Sequence, residues 1–318
     1  MENSRKREIL NKFPNTKILV IGDVMVDHFI YGTVTRISPE APVPVVSVTN
    51  ERYHLGGSAN VLNNIHSIGG KPLIATVIGN DEPGSWLINQ IKGISVDSKG
   101  ILIDSRPTTL KTRVMAHSQQ IVRFDRESKD DISEEIENRI VSYVESHINN
   151  IKVIIISDYN KGVITKSLMH KIKRAAYGRV PICVDPKKQD FDFYRNVDMI
   201  TPNTTEAERV VGFEIKNGDD AVRAANLIMN RYNISSVLLT RGEHGMLLVQ
   251  QGRMPVHIPA SAREVYDVTG AGDTAIAIFT LCVASGATYP EAAFLANRAS
   301  GVVVGKIGTS TVTKEELL

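Results

Sequence analysis

Short apolar runs recur along the chain, and most are followed by a segment carrying one apolar stripe. Residues 17–22 form the first such run and end in Gly-Asp, the pattern of a buried strand. Residues 73–78, 153–157, 181–185, 198–201 and 236–240 repeat it. Between them lie helical patterns. Leu62, Ile65 and Ile68 share a face in residues 59–68, and residues 81–91, 133–148, 165–176, 205–211 and 219–232 have similar spacing. Residues 274–284 are almost wholly apolar and predict a buried helix. Strands interleaved with helices of this length predict an α/β fold with a doubly wound, mostly parallel sheet and helices on both faces.

Two stretches depart from the alternation. Residues 29–53 are rich in Val, Thr, Tyr and Pro and have no helical period. Residues 108–125 alternate in the strand manner, with Leu110, Thr112 and Val114, then Ile121 and Arg123. Both predict antiparallel strands outside the main sheet. Paired with each other, at about residues 28–54 and 108–125, they would form a small antiparallel β lid over a site at the strand ends. No internal repeat or low-complexity linker interrupts the chain, so the expectation is one domain over residues 1–318.

Composition narrows the functional classes. The 318 residues are 42% hydrophobic and 23% charged, with formal net charge +2 and no block of like charges. That balance gives nucleic-acid binding no support. Cys183 and Cys282 each sit in an apolar run and read as buried thiols of a reducing compartment. The first residues are charged and lack an apolar leader core, and no apolar run is long enough to span a bilayer. The expected location is the cytoplasm, with no membrane partner.

The richest stretch chemically is Asp267-Val268-Thr269-Gly270-Ala271-Gly272-Asp273, which opens the apolar helix. Small residues let backbone approach a ligand, and first-turn N–H groups favour an anion. A carboxylate there has a use as the base for a hydroxyl attacking a phosphate, which makes Asp273 the candidate base of a phosphoryl transfer. The same run also fits a tight turn with close helix packing. Polar residues fall where strands end: Asp23, Asp27, Asp158, Asp185, Thr201, Asn203, Thr240, Arg241 and Gly242. Such an edge is where open α/β sheets bind ligands, although each residue alone also reads as a cap or turn former. Gly56-Gly57-Ser58-Ala59-Asn60 fits a turn capped by Ser58, or a flat surface for a sugar ring with Asn60 on a hydroxyl.

Taken together, Gly56 to Asn60, Asn203-Thr204-Thr205-Glu206, Thr240-Arg241-Gly242 and Asp267 to Asp273 resemble the ribokinase-like (PfkB) family of carbohydrate kinases, in order and over nearly the whole chain. The resemblance implies sugar contacts from Asp23, Asp27, Gly56, Gly57 and Asn60. It implies Asp273 as base, with the N–H groups of Gly270, Ala271 and Gly272 as anion hole. Asn203 and Glu206 would organise Mg²⁺ and the phosphates of ATP, Glu206 through water. Thr240 and Gly242 would line the nucleotide groove, with Lys306 to Thr309, including Gly308, on the adenine side. K⁺ near the anion hole is a further implied partner. A narrower set, Asp23 to Asp27, Arg36 to Val46 and Gly301 to Ser310, is similar to the heptose 7-phosphate kinases of that family. Those phosphorylate the anomeric C1 hydroxyl of D-glycero-β-D-manno-heptose 7-phosphate in ADP-heptose synthesis, and in many bacteria are fused to an adenylyltransferase. A chain stopping at Leu318 is then expected to be a stand-alone kinase or the kinase half of a longer protein.

A phosphorylated acceptor calls for cations at the far end of its pocket. Arg113, Arg123, Lys161 and Lys187 are candidates, each equally readable as a solvated surface charge. Asp185 joins the substrate side. The exposed lid predicts a homodimer through lid edges carrying Val43, Val45 and Val48. Three other readings are weighed against this one. A kinase of ribose or fructose 1-phosphate shares the motifs. A dinucleotide-binding oxidoreductase lacks the required glycine turn after its first strand. A non-catalytic sugar-binding protein has no use for Asp273.

Overall fold

The structure is a computed structural model covering residues 1–318, and it describes all of them except Ser118, Arg263, Ile307 and Thr309. The strands, in chain order, are β1 (Lys17–Gly22), β2 (Val24–Ile37), β3 (Pro44–Gly57), β4 (Lys71–Gly79), β5 (Ile101–Asp104), β6 (Leu110–Ala116), β7 (Gln119–Arg126), β8 (Val153–Ser157), β9 (Ile182–Asp185), β10 (Met199–Ile200), β11 (Ser236–Thr240), β12 (Met246–Gln250) and β13 (Val256–Ile258). Among the described residues they form a nine-stranded sheet in the order β13-β12-β11-β10-β9-β8-β1-β4-β5 and a four-stranded sheet in the order β3-β2-β6-β7.

The large sheet is parallel from β5 to β11, and antiparallel where β12 and β13 extend it. Strand periodicity divides its side chains between two cores. Leu19 and Ile21 of β1 face the helices Glu134–His147 and Lys166–Ala176. Ile18 and Val20 face the helices Ser58–Ser67 and Ala271–Ala284. Burial on both faces is why these strands read as continuous apolar runs.

The helices start where the chain offers a cap. Asp81, Ser133, Thr165 and Asn203 each accept a backbone N–H from the first turn of the helix they precede. Ser58 does not act as a cap. The cap is Gly57, at φ 59°, where a Cβ would lie 2.4 Å from the Asp23 carbonyl. Only glycine fits so close a backbone crossing, and the helix begins one residue early.

The two irregular stretches do pair into one lid, but it is mixed rather than wholly antiparallel. β2–β3 and β6–β7 are antiparallel hairpins, whereas β2 and β6 run parallel. β2 leaves the carboxyl end of β1, and β6 follows the carboxyl end of β5. Both therefore rise from the same edge of the main sheet in the same direction. The strands are also longer than the alternation suggested, because β2 begins at Val24 and β3 ends at Gly57 inside the core. Strands β5, β12 and β13 and the helices Asn3–Lys12 and Tyr289–Val303 have no counterpart in the sequence reading. They are short, or rich in charged and small residues, and so carry little periodic signal.

Candidate active site

The order of the large sheet reverses at β1. The chain builds outward through β4 and β5, then returns to place β8 on the other side of β1. The crevice beyond the carboxyl ends of β1 and β8 is thus the switch point at which open α/β sheets bind ligands. Asp23 follows β1 there, and Asp158 and Tyr159 follow β8. A cavity of about 160 Å³ opens beside it, lined by Asp158, Tyr159, Asp185, Glu206, Gly272 and Asp273, among others.

Asp273 lies in the first turn of the helix Ala271–Ala284 and is buried. Its Oδ2 accepts a hydrogen bond from Asn60 Nδ2 at 2.8 Å, and its Oδ1 accepts one from the Tyr159 hydroxyl. Burial pushes its pKa up to about 6; the two hydrogen bonds hold it down, and the charge of Asp27 adds to the rise. Asn60 is in turn packed by Asn64, whose Nδ2 donates to the Asn60 carbonyl at 2.9 Å. Asn60 therefore orients Asp273, a different task from the sugar contact expected of it.

Gly270 caps this helix at φ 82°, a left-handed conformation. The anion-hole expectation needs one correction. The Ala271 N–H donates to the Val268 carbonyl at 3.2 Å, so it is engaged within the loop. The next first-turn amides, those of Gly272 and Asp273, have no intrahelical partner. Gly270 and Gly272 both line the cavity. Asp267 secures the loop by accepting from the Thr269 N–H at 2.9 Å and the Gly308 N–H at 3.1 Å.

The remaining expected residues divide by what their side chains hold. Asp23 does not present its carboxylate to a sugar. It accepts the N–H groups of Tyr159 (2.8 Å), Lys161 (3.2 Å) and Val163 (3.0 Å), and so anchors the loop after β8. Asp27 is buried under the lid and paired with Arg113 at 2.6 Å. A Cβ on Gly56 would stand 2.3 Å from Asp27 Oδ2, which explains glycine at that position. Arg123 grips Asp125 through two nitrogens, at 2.9 and 2.6 Å. Lys161 pairs with Glu127 at 2.6 Å, and Lys187 pairs with Glu206 at 3.0 Å.

Asn203 and Glu206 form a reciprocal capping box, Asn203 Oδ1 accepting from the Glu206 N–H and Glu206 Oε2 from the Asn203 N–H. Both still line the cavity, as does Thr240. Gly242 opens a short turn at φ 54°. The Lys306 ammonium does not point to a nucleotide: it binds the Thr311 carbonyl at 2.8 Å and Glu316 at 2.8 Å, tying down the C-terminal turn. Ile307 and Thr309 of the expected adenine-side segment lie outside the described residues.

Four carboxylates, Asp158, Asp185, Glu206 and Asp273, line one small cavity. Burial, then the charges of Asp273 and Glu206, push the Asp185 pKa well above the carboxylate range. Hard oxygen donors that repel one another fit a divalent cation such as Mg²⁺. Among the described residues no group of three or more His, Cys, Asp or Glu has the arrangement of a metal cage made by protein alone. A cation here would need oxygens from a bound phosphate as well.

The sequence reading missed Tyr159. It stops at Asp158, because an aromatic residue after a strand carries no polar signal. It also missed Lys111, which shares a lid face with Arg113 but falls between the apolar positions that revealed the strand.

A profile of the family described as pfkB family carbohydrate kinase matches residues 15–316. The chain is 45% identical over 302 residues to a protein named bifunctional protein HldE from Geobacter sulfurreducens, covering 94% of this chain and 62% of that protein. It is 42% identical over 311 residues to the protein of the same name from Vibrio parahaemolyticus, covering 98% of this chain and 64% of that protein. The chain thus spans less than two thirds of the length of these relatives. Among solved structures, ribokinase of Arabidopsis thaliana complexed with ribose and ATP superposes with TM-score 0.76 at 18% identity, covering 95% of this chain and 97% of that one. Phosphofructokinase-2 of Escherichia coli in complex with substrates and products superposes with TM-score 0.78 at 19% identity, over the same shares. At such identities the structural likeness speaks for the fold.

Proposed function

The chain belongs to the pfkB family of carbohydrate kinases, and from that premise we propose that it transfers the γ-phosphoryl group of ATP to the anomeric C1 hydroxyl of D-glycero-β-D-manno-heptose 7-phosphate, giving the 1,7-bisphosphate used in ADP-heptose synthesis for the lipopolysaccharide core. The observation that carries the kinase part is the placement of Asp273, a buried carboxylate of raised pKa beside free first-turn amides in a cavity at the switch point. The heptose part is supported by the 45% identity to a protein named HldE and by the residues of the narrower resemblance.

In this reading Asp273 accepts the proton of the acceptor hydroxyl as that oxygen bonds to phosphorus and ADP leaves. Asn60 and Tyr159 hold the carboxylate in place for that transfer. The amides of Gly272 and Asp273 receive the negative charge that grows on the phosphoryl oxygens. Asp27 and Gly56 form the acceptor wall under the lid, and Thr240 and Gly242 the nucleotide side. Asp185 and Glu206 would hold Mg²⁺ together with the nucleotide, and such an ion would supply positive charge against the phosphates. K⁺ near the Asp267 loop belongs to the same reading. Residues 1–318 act as one kinase unit in the cytoplasm, where ATP is at hand. The lid exposes Val43, Val48 and Phe124 as a face for a second copy.

The test measures ADP release with ATP and Mg²⁺, in K⁺ and in Na⁺ buffers, against heptose 7-phosphate, ribose and fructose 1-phosphate. Turnover of heptose 7-phosphate, with phosphorus NMR showing the 1,7-bisphosphate, is the expected result. Turnover of ribose or fructose 1-phosphate with heptose 7-phosphate untouched would replace the acceptor. No turnover of any would remove the reading.

A further inference from the structure

Tyr194 closes the short helix Phe191–Tyr194 and is fully buried. Its ring packs in the core against Phe191, with ring centres 5.6 Å apart. Its hydroxyl donates to Asp158 Oδ2 at 2.6 Å and accepts the backbone N–H groups of Lys187 at 3.3 Å and Lys188 at 3.2 Å. One proton and two lone pairs are all that a hydroxyl offers, so its capacity is filled. Tyr194 does not line the cavity. Any effect it has on the chemistry runs through the groups that it holds.

Those groups belong to two different loops. Asp158 follows β8 and is the chain neighbour of Tyr159, whose hydroxyl is on Asp273. Asp158 Oδ1 accepts the Asn160 N–H at 2.6 Å, with Asn160 in the left-handed region at φ 56°. Both carboxylate oxygens are thus spent on holding this loop. Lys187 lies two residues after Asp185 at the end of β9, and its ammonium is on Glu206 at 3.0 Å. The loops also meet through the Asp158 N–H, which donates to the Asp185 carbonyl at 3.1 Å, and through the Lys188 ammonium, which donates to Asn160 Oδ1 at 3.0 Å. One buried hydroxyl therefore joins the loop beside the candidate base to the loop beside the candidate metal carboxylates. A Phe ring would fill the same space but leave Asp158 Oδ2 and two N–H groups without this partner.

We propose that Tyr194 is a positioning residue for the phosphoryl transfer: its hydroxyl clamps the loops after β8 and β9 together and so keeps Tyr159, and with it Asp273, in register with the Asp185 and Glu206 side of the site. Transfer needs the base and the phosphate-side groups placed together, and a shift of about 1 Å can cost about 10²-fold in rate. The inference rests on the reading of Asp273 as the base.

The experiment compares Tyr194→Phe, Tyr159→Phe and the double variant with the parent protein by ADP release, at a temperature where melting curves show all of them folded. Tyr194→Phe is expected to lower kcat about 10-fold while KM for ATP and for the acceptor stays within about threefold, because the clamp touches neither ligand. The double variant should fall no more than about twofold below the slower single variant, since both changes act through one contact. An unchanged kcat, a loss carried by KM alone, or losses that multiply would overturn the proposal. If Tyr194→Phe does not fold, Lys188→Met cuts the side-chain tie instead: a kcat about threefold lower supports the clamp, and an unchanged kcat overturns it. If the parent protein turns over no acceptor, the functional reading fails, and hydrogen exchange decides the clamp alone. The Tyr159 and Lys161 amides bond Asp23 and not Tyr194. Exchange of these two about 10-fold faster in Tyr194→Phe, with β8 unchanged, supports the clamp; no change, or faster exchange confined to Lys187 and Lys188, overturns it.

Discussion

Two hollows lie at opposite edges of the nine-stranded sheet. The one at the amino ends of β9, β10 and β11 is the larger, about 930 Å³ against about 160 Å³ at the carboxyl edge. Its lining includes Lys173, Arg174, Arg179 and Asp198. Lys173 and Arg174 sit in the last turn of the helix Lys166–Ala176, where cations offset the negative end of the helix dipole. The Lys173 ammonium donates to the Arg195 carbonyl at 3.0 Å, and the Asp198 carboxylate accepts the Ile182 N–H at 2.8 Å. Local backbone thus accounts for Lys173, Arg174 and Asp198. At the carboxyl edge Asp158, Asp185 and Asp273 are hydrogen-bonded too, but all are raised in pKa, with burial as the leading cause in each. The difference teaches that buried carboxylates of raised pKa mark a chemical site better than volume does.

Four measurements can break or sharpen this contrast. Asp273→Asn should lower phosphoryl transfer by about 10²–10⁴-fold while ATP and sugar still bind, as read by ADP release beside calorimetry. Retained turnover would remove Asp273 as the base. The same variant should be more stable than the parent at pH 8. A carboxylate whose pKa rises from 3.8 to about 6 on folding is ionised at a cost of about 3 kcal/mol above pH 6. The sign follows from the folded state holding the proton more tightly than the unfolded chain. The gain should be full above about pH 6 and absent below about pH 4, where both states are protonated. Unfolding in denaturant at pH 8 and pH 4 checks it.

Tyr159→Phe tests the positioning network. The Tyr159 hydrogen bond holds the Asp273 pKa down, so its loss should move the acid limb of kcat/KM upward, by less than about one pH unit for one bond near 1 kcal/mol. An unmoved limb would separate Tyr159 from the base. Arg174→Ala probes the other edge. It should leave kcat/KM within about twofold and lower stability by about 0.3–1 kcal/mol, the usual worth of a helix-end cation. A large kinetic loss would make the amino-edge groove part of the chemistry.

Much of the fold was legible because doubly buried strands and amphipathic helices leave periodic traces. Val153–Ser157 and Ser236–Thr240 lie where the apolar runs put them. The missed elements lack that trace: the helix Asn3–Lys12 buries little beyond Lys6, Ile9 and Leu10. In the site, Asp273 was readable because a carboxylate in a glycine turn is chemically odd. The duties of Asp23, Asn60 and Lys306 were not, since each is set by a distant partner: the loop after β8, Asp273, and Glu316.

The sequence by itself determined the alternation of strands and helices, the two lid stretches and the aspartate at the helix start, because local spacing and residue type dictate them. Only the tertiary structure decided that β2 and β6 run parallel, that Tyr159 and Asn60 grip the two oxygens of Asp273, and that Arg113 rather than its neighbour Lys111 pairs with Asp27. Those are outcomes of strand order and cross-strand register. They join residues far apart in the chain, and no local pattern encodes which of several nearby charges will pair.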